Sequence, residues 1–456
     1  MKPDPTPPSR RHALQRLAVF GGLAASPFAL NLATMGAAAA QSAADYKALV
    51  CVFLLGGNDA FNTMMPAAGA ERARWQAARP ELILPGAPLP LSALGYNGVP
   101  QAFASQLAEV KAVFDAGRCA VLANVGPLVQ PMSLAQWNDG APTVPVPPQI
   151  ASHSDQQNVW QTGVPDKPVN TGWLGRITDL MAASSSGLPL CMSVGGDNIL
   201  QVGEASTPYQ LTLQGPVKVQ GVQDLFGAPN VAAVALEQLL TQQRQHLMEN
   251  YYSTTAKRAI EAERLVSAAL LGSSMGTSFP ETQVGRQLRM VARMVAARRA
   301  LGQSRQVYYV GVGGWDFHGR QVPDQTRLLT ELSQGLAAFY QATVALGVAN
   351  QVTTFTASDF GRALQTNGDG CDHGWGGHHL VLGGAVKGQR IYGAVPDAAL
   401  RTNTDIGQGR LLPTTSVDAY AATLARWFGV SDSNLNLVLP NVGRFLAPGT
   451  DLGMLA

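Results

Sequence analysis

The sequence predicts an α/β protein with a largely parallel central sheet, on the basis of two features. Apolar runs of strand length alternate with segments of helical periodicity. The first run, residues 48–55, contains only apolar residues, which is typical of a parallel strand covered on both faces. The chain has 456 residues, of which 46% are apolar and 14% charged. A chain of this size and composition can bury the core that such a sheet needs.

The other elements follow in order along the chain. Apolar side chains at helical spacing predict a helix over residues 99–116. The apolar runs predict further strands at residues 119–125, 188–194, 306–312 and 351–356. Periodicity predicts further helices at residues 323–346 and 416–428.

Residues 231–302 are mostly of helical character and form a predicted insertion. Two arrangements fit them: a lid packed on the sheet, or a plain helical layer of the same domain. The chain has no internal repeat of 20–50 residues and no proline-rich linker. We therefore predict one domain over residues 41–456.

The first 40 residues have the features of a twin-arginine signal peptide. Arg10 and Arg11 precede an apolar stretch, and Ala38-x-Ala40 suits a signal peptidase. We expect cleavage after Ala40 and export by the twin-arginine machinery. The mature protein would be periplasmic or secreted, with no stable membrane span. An N-terminal membrane anchor is the alternative, but the small residues before Gln41 favour processing.

Charge balance excludes a nucleic-acid partner. Removing the first 40 residues takes away four basic and one acidic side chain, and leaves 28 basic and 29 acidic ones. A nearly neutral protein lacks the basic surface that binds phosphate backbones.

Aspartates follow three of the predicted strands. Asp59 follows the first strand, Asp316 the strand at 306–312, and Asp359 the strand at 351–356. The carboxyl ends of parallel strands meet at one edge of a sheet, where ligands bind. Carboxylates gathered there would repel one another unless a cation neutralised them. Each aspartate also has a simpler interpretation, as a turn residue or a hydrogen-bonding partner at a strand end.

Histidine distribution indicates the same kind of site. Six of the seven histidines lie beyond the signal segment, and five of the six stand near aspartates: His153, His318, His373, His378 and His379. Imidazole and carboxylate are the ligands of zinc and related ions. We predict one or two divalent ions, with zinc or manganese favoured and calcium as a further option. His378 and His379 rank below His373 because of their glycine and tryptophan context.

Motifs for other chemistries are missing. The sequence has no dinucleotide or P-loop fingerprint, no H-E-x-x-H and no G-x-S-x-G elbow. Ser152, His153 and Asp155 are too close in sequence for triad geometry, so we prefer Ser152 as a nucleophile activated by a metal. The four cysteines form no C-x-x-C pair, and their sequence positions leave three disulfide pairings open. Cys51 and Cys119 lie in apolar runs and are predicted to be buried free thiols.

Several motifs together resemble one bacterial family, DUF1501, a domain-of-unknown-function family exported by the twin-arginine route. The similarity spans roughly residues 45–445 and lies in the segments LLGGNDAFNTMMP, SHSDQQNVWQTG, TGWLGR, GGWDFHG, SDFGR and DHGWGG. This family is grouped with the alkaline phosphatase and sulfatase superfamily. The resemblance implies a three-layer α/β sandwich of the alkaline phosphatase type, with one or two metal ions beside a nucleophile.

The resemblance also implies roles for individual residues, by their order along the chain. Ser152 falls at the nucleophile, with Ser154 as the alternative because the family usually has phenylalanine there. The implied metal ligands are Asp59, Asp316, His318, His373 and either Asp359 or Asp372.

Two departures from the superfamily pattern bear on this assignment. Phe360 stands where histidine usually follows the late aspartate, and Asp372-His373 comes 13 residues after Asp359. Arg362 is a candidate to hold an anionic group, because guanidinium binds such groups bidentately. The alternative for Arg362 is a salt bridge to one of the aspartates.

Two functions follow as expectations. The first is a periplasmic metal-dependent hydrolase that acts on a small phosphate or sulfate ester. The sulfatase signature C-x-P-x-R is missing around all four cysteines, which argues against a typical sulfatase. The alternative is a non-catalytic secreted protein for binding or assembly, favoured by the missing Asp-His dipeptide, because a fold does not carry function with it. A mutase or transferase is a weaker third option.

Overall fold

The computed structural model describes residues 46–94, 98–139, 144–181, 188–219, 221–222, 231–273 and 275–456. The predicted signal peptide lies outside the described residues. Within the described ranges, the helices are all too short or too polar to cross a membrane.

A ten-stranded sheet forms the centre of the protein, and five adjacent strands make it largely parallel. In spatial order these are β10 (Val352–Ser358), β1 (Lys47–Leu54), β9 (Arg305–Val312), β6 (Cys191–Ser193) and β7 (Tyr209–Thr212). The strands predicted at residues 48–55, 306–312 and 351–356 are confirmed. The strand predicted at 188–194 is present but has only three residues.

The flanks of the sheet contain antiparallel pairs. β8 (Gly215–Pro216) pairs with β7 at one edge. On the other side, β13 (Gly377–Gly383) runs antiparallel between β10 and β5 (Cys119–Gly126). β14 (Arg390–Tyr392) and β15 (Thr415–Ser416) complete the sheet by pairing in parallel with β5.

Helices cover both faces of the sheet, which confirms the three-layer sandwich. One layer contains α3 (Ala108–Asp115), α8 (Leu247–Leu271), α9 (Gln283–Ala296) and α10 (Gln321–Ala345). The other contains α5 (His153–Thr162), α6 (Trp173–Leu180), α11 (Val417–Phe428) and α12 (Asp432–Val438). Side chains of β1 alternate between the layers: Val50 and Val52 face the first, whereas Leu49 and Phe53 face the second. Alternation between two apolar layers explains why this strand is apolar throughout.

The four remaining α-helices of the described residues lie outside these two sets. They are α1 (Ala60–Thr63), α2 (Gly69–Ala78), α4 (Leu134–Asn138) and α7 (Val231–Thr241). α7 packs against α8, which in turn contacts β8 at the edge of the sheet, whereas α9 packs on β9 and α10. Of the two arrangements expected for residues 231–302, α9 therefore takes the helical layer.

One predicted helix is partly wrong. Within residues 99–116 the α-helix begins only at Ala108, and Pro100–Phe103 forms β4. β4 pairs with β2 (Met64–Pro66) and β3 (Leu89–Leu94) in a small antiparallel sheet. Proline is tolerated as the first residue of a strand, since its missing N–H breaks no ladder bond there. Partner strands from elsewhere in the chain thus overrode the local helical pattern.

The register of the central strands determines which loops meet. Leu54 of β1 is opposite Ser358 of β10 on one side and Val312 of β9 on the other. The residues that follow these three strands therefore emerge side by side, as the sequence predicts. A short hairpin, β11 (Arg362–Thr366) with β12 (Cys371–His373), continues from β10 and lies next to them. Cys51 and Cys119 are buried and free, as predicted, and so are Cys191 and Cys371.

Candidate metal centre

Three imidazoles and one carboxylate converge beyond the carboxyl ends of β9 and β10. One oxygen of Asp316 lies 3.2 Å from Nε2 of His318 and 3.3 Å from Nε2 of His373, and the other lies 3.5 Å from Nε2 of His153. Donor atoms of His153, Asp316 and His373 all lie within 4.8 Å of one another. Ligands about 2.0 Å from a tetrahedral zinc are separated by roughly 3.3 Å. The spacing of His153, Asp316 and His373 therefore fits one ion, and His318 lies beside Asp316 and His373.

The anchoring of the rings shows which nitrogens face the centre. Nδ1 of His153 lies 2.7 Å from Oδ2 of Asp359, and Nδ1 of His373 lies 2.7 Å from the carbonyl oxygen of Ala151. Both partners are acceptors, so each Nδ1 carries the proton and each Nε2 presents a lone pair. Nε2 of His318 is 2.8 Å from Nε2 of His373. This is the distance of a hydrogen bond between the two rings, in which one nitrogen donates to the other.

Burial and charge keep two of these donors, His373 and Asp316, in the state that binds a metal. Burial chiefly lowers the pKa of His373, with nearby Arg362 acting in the same direction, so the ring is neutral near pH 7. For Asp316, burial raises the pKa, but the hydrogen bond and charge of Arg362 outweigh it and lower the pKa overall. An ionised carboxylate and a neutral imidazole are the forms that bind divalent ions.

Arg362 does not face open space. Its side chain is fully buried, is ion-paired with Asp316, and donates to the carbonyl oxygens of Gly57 at 3.0 Å and Cys371 at 3.0 Å. It also donates to the carbonyl oxygens of Gly56 and Trp315. The salt-bridge alternative is therefore what the structure shows, and Arg362 ties together the loops that follow β1 and β9.

Asp59 lies apart from the donor set. Its side chain is fully buried, forms an ion pair with Arg79, and accepts a hydrogen bond from Gln321. It also caps α1 by accepting from the backbone N–H of Phe61 at 3.0 Å. Its charge is thus balanced inside the protein, although it follows the predicted strand as expected. Among the described residues, the group of facing metal donors does not include Asp59.

Asp359 and Asp372, between which the sequence left the choice open, lie behind two different histidines. Asp359 is fully buried and contacts Nδ1 of His153. Asp372 lies 3.9 Å from Nδ1 of His318 and accepts from Nδ2 of Asn367 at 3.0 Å. Asp359 is therefore within hydrogen-bonding distance of its ring, whereas Asp372 is too far from His318 for a hydrogen bond.

Phe360, in the place of the expected histidine, packs against the donor rings. Its ring centroid is 4.9 Å from that of His153 and 4.5 Å from that of His373. Phe360 is buried and forms an apolar wall behind the two imidazoles. Such a wall restricts ring rotation and excludes water from one side.

Ser152 is the N-cap of α5, directly before His153. Its Oγ lies 2.5 Å from Oδ2 of Asp155 and 3.3 Å from Oγ of Ser154. Ser152 and Ser154 are thus within hydrogen-bonding distance of each other, and Asp155 is an acceptor for the Ser152 proton.

His153 is the member of the centre that the predicted ligand set omitted. One sequence feature could have identified His153 as a ligand: it is one of the few histidines in the chain, and it lies close to Asp155. Gln157, one helical turn further on, also contacts Asp359 and carried no recognisable signal. By contrast, burial lowers the pKa of His378 to about 4 and of His379 to about 3, and both are core residues.

Comparison with known proteins places the chain in a family. The family model "Protein of unknown function (DUF1501)" matches residues 46–439. The chain belongs to this family. No functionally curated protein matches the sequence.

Several solved structures are similar to this chain over most of its length. PsFucS1 sulfatase from Pseudoalteromonas sp. has 9% identity and a TM-score of 0.35, covering 92% of this chain and 77% of that chain. The C-terminal periplasmic domain of EcEptC from Escherichia coli, in complex with Zn, has 11% identity and a TM-score of 0.33, covering 90% and 92%. Phosphonate monoester hydrolase of Agrobacterium radiobacter has 12% identity and a TM-score of 0.28, covering 84% and 74%.

Proposed function

We propose that this chain is an exported, metal-dependent hydrolase of phosphate or sulfate esters. One observation carries the proposal: donor atoms of His153, His373 and Asp316 all lie within 4.8 Å of one another, and His318 stands beside two of them. The protein orients two of the three rings from behind by hydrogen bonds at Nδ1. Polar groups arranged in this way are typical of metal-binding sites.

The donor set suits an anionic substrate. A divalent cation would act there as a Lewis acid and would neutralise charge that develops on the ester oxygens. Imidazole ligands add no charge to a bound ion, so the single carboxylate would cancel only one of its two positive charges, and the centre would attract an anion. Asp316 is about half exposed, which leaves the centre open to solvent and substrate.

Within this proposal, Ser152 is the nucleophile. Its hydroxyl lies next to the first ligand in sequence, and Asp155 accepts its proton across 2.5 Å. The Ser152 oxygen attacks the phosphorus or sulfur atom, the ester bond breaks, and the alcohol leaves. Water then hydrolyses the serine ester and releases the inorganic anion. Ser154 is the alternative nucleophile because its hydroxyl is 3.3 Å away.

The first test measures metal per chain by element-resolved mass spectrometry on protein exported by its own signal. Turnover of 4-nitrophenyl phosphate, 4-nitrophenyl sulfate and a phenylphosphonate ester follows. We expect one equivalent of zinc or manganese, and loss of metal and turnover in His153→Ala. His246→Ala is the matched control, since His246 is exposed and its side chain makes no cap bond.

Other outcomes contradict the proposal in specific ways. Full turnover in both Ser152→Ala and Ser154→Ala would exclude a serine nucleophile. A folded protein that binds neither zinc nor manganese would exclude the hydrolase. The secreted binding or assembly protein would then be the better interpretation.

A further inference from the structure

We infer that Asp359 and Gln157 are positioning residues that hold the ring of His153 with Nε2 towards the metal, and that Asp359 is not itself a ligand. The inference rests on the proposed metal centre. It does not depend on the reaction that the centre performs.

The first argument is the use of one oxygen of Asp359. Oδ2 receives three donors: Nδ1 of His153 at 2.7 Å, Nε2 of Gln157 at 2.9 Å and the backbone N–H of Gly56 at 3.1 Å. Asp359 is completely buried. An oxygen with three hydrogen-bond donors has little capacity left for a cation, whereas it fixes the tautomer of the imidazole it contacts.

The second argument is the geometry of α5. His153 and Gln157 are four residues apart, so they lie on the same face of this helix one turn from each other. Both reach the same oxygen of Asp359. Two contacts from one helix to one buried carboxylate fix the helix and the ring together. The Gly56 contact ties this unit to the loop after β1.

The second carboxylate oxygen of Asp359 is the basis of the opposite assignment, in which Asp359 is a metal ligand. Oδ1 of Asp359 is buried and has no hydrogen-bond partner within the part of the chain that the structure describes. If that oxygen bound the metal, Asp359 would be a ligand. Its removal would then alter the coordination itself and not only the affinity.

Zinc affinity tests the role of Gln157. Gln161 is the matched control: it lies one turn further along α5, is buried, and accepts from the backbone N–H of Ile199 and of Leu200. By competition titration with a chelator, we expect Gln157→Leu to weaken zinc binding by about 10- to 100-fold, with one equivalent still bound. Gln161→Leu keeps the native affinity. Equal affinities in the two variants would overturn the inference.

Cobalt spectroscopy tests the role of Asp359. In the Co²⁺-substituted protein, visible bands report the ligands and their geometry. We expect Asp359→Asn to bind Co²⁺ more weakly but to show the native spectrum at saturation, whereas Asp316→Asn changes the spectrum. A changed spectrum in Asp359→Asn would mean that Asp359 is a ligand and would overturn the inference.

These measurements separate the inference from the proposed function. An inactive protein with the expected affinities and spectra would contradict the hydrolase and support the positioning roles. A native protein that binds neither Zn²⁺ nor Co²⁺ would overturn both.

Discussion

Asp59 and Arg79 form an ion pair in which both side chains are completely buried. Further hydrogen bonds connect this pair to two helices. Asp59 caps α1 and accepts a hydrogen bond from Gln321, the first residue of α10. Nε of Arg79 is buried without a hydrogen-bond partner among the described residues. The pair thus joins the loop after β1 to the helical layer, close in sequence to the glycines that border the metal centre.

Asp59→Asn is expected to lower the free energy of unfolding by about 3–5 kcal/mol, because it leaves the buried charge of Arg79 without a counter-charge. Metal content per folded chain stays at the native value. Urea unfolding and metal analysis on the folded fraction measure the two effects. Asp316→Asn is the comparison for metal content, since it removes a half-exposed donor and should contain less metal than the native protein. Loss of metal with native stability in Asp59→Asn would show that Asp59 is a ligand after all.

Gly56→Ala is expected to disrupt both stability and metal binding. Gly56 has φ +122°, and an added Cβ would lie 2.5 Å from the backbone nitrogen of Asp316. The loop that carries Asp316 would have to move, since backbone atoms cannot rotate away. Thermal unfolding and zinc titration measure the change.

The control for Gly56→Ala comes from the loop of Asp316 itself. A Cβ on Gly313 would meet no atom within 4 Å, so Gly313→Ala should retain the native melting temperature and zinc affinity. If the two variants behave alike, the close approach of Gly56 to Asp316 does not matter for the site.

Asp418 gives stability a pH dependence. Burial raises the pKa of this carboxyl to about 8, against the lowering effect of its backbone hydrogen bond and Arg444. In the unfolded chain the pKa is about 4. Between these values the folded state binds the extra proton, so the contribution of Asp418 is fully present below about pH 4 and is lost as pH rises through 8. The loss amounts to a few kcal/mol at most.

Asp418→Asn removes this titration. The native protein loses this contribution as the pH rises, and the variant does not. The stability of the variant relative to the native protein should therefore be higher at pH 9 than at pH 5. The melting temperature of each protein is measured at both pH values, and the native value is subtracted from the variant value at each pH. The effects of other titrating groups are the same in both proteins and cancel in this difference. An identical difference at both pH values would mean that Asp418 titrates normally in the folded protein.

Arg10 and Arg11 are expected to direct export. The double substitution of both residues to lysine should leave the precursor in the cytoplasm, because the twin-arginine machinery recognises the pair. Cell fractionation followed by immunoblotting measures the distribution. Arg16→Lys, a basic residue outside the pair, is the control and should be exported normally. Export of the double variant at the native level would exclude the twin-arginine route.

Much of the fold was predictable because its signals are local. The apolar runs of β1, β9 and β10 identify strands covered on both faces, and the residues after them meet at one edge, as predicted. Asp316, His318 and His373 accordingly lie in the candidate centre. The helix predicted over residues 99–116 was partly wrong because β4 pairs with β2 and β3, which both lie earlier in the chain.

Sequence patterns by themselves determined the fold class and the edge of the sheet where the aspartates and histidines of the candidate centre gather, since periodicity and composition express local preferences. Tertiary structure alone decided which charges are already balanced. Asp59 is ion-paired with Arg79, and Arg362 is ion-paired with Asp316. His153, in contrast, is held beside the other donors by its hydrogen bond to Asp359, which is 206 residues away in sequence. A sequence motif does not show whether its aspartate or arginine forms an ion pair with a buried residue elsewhere in the chain. The partner comes from a distant segment, and packing of those segments determines which side chains are free to bind a metal.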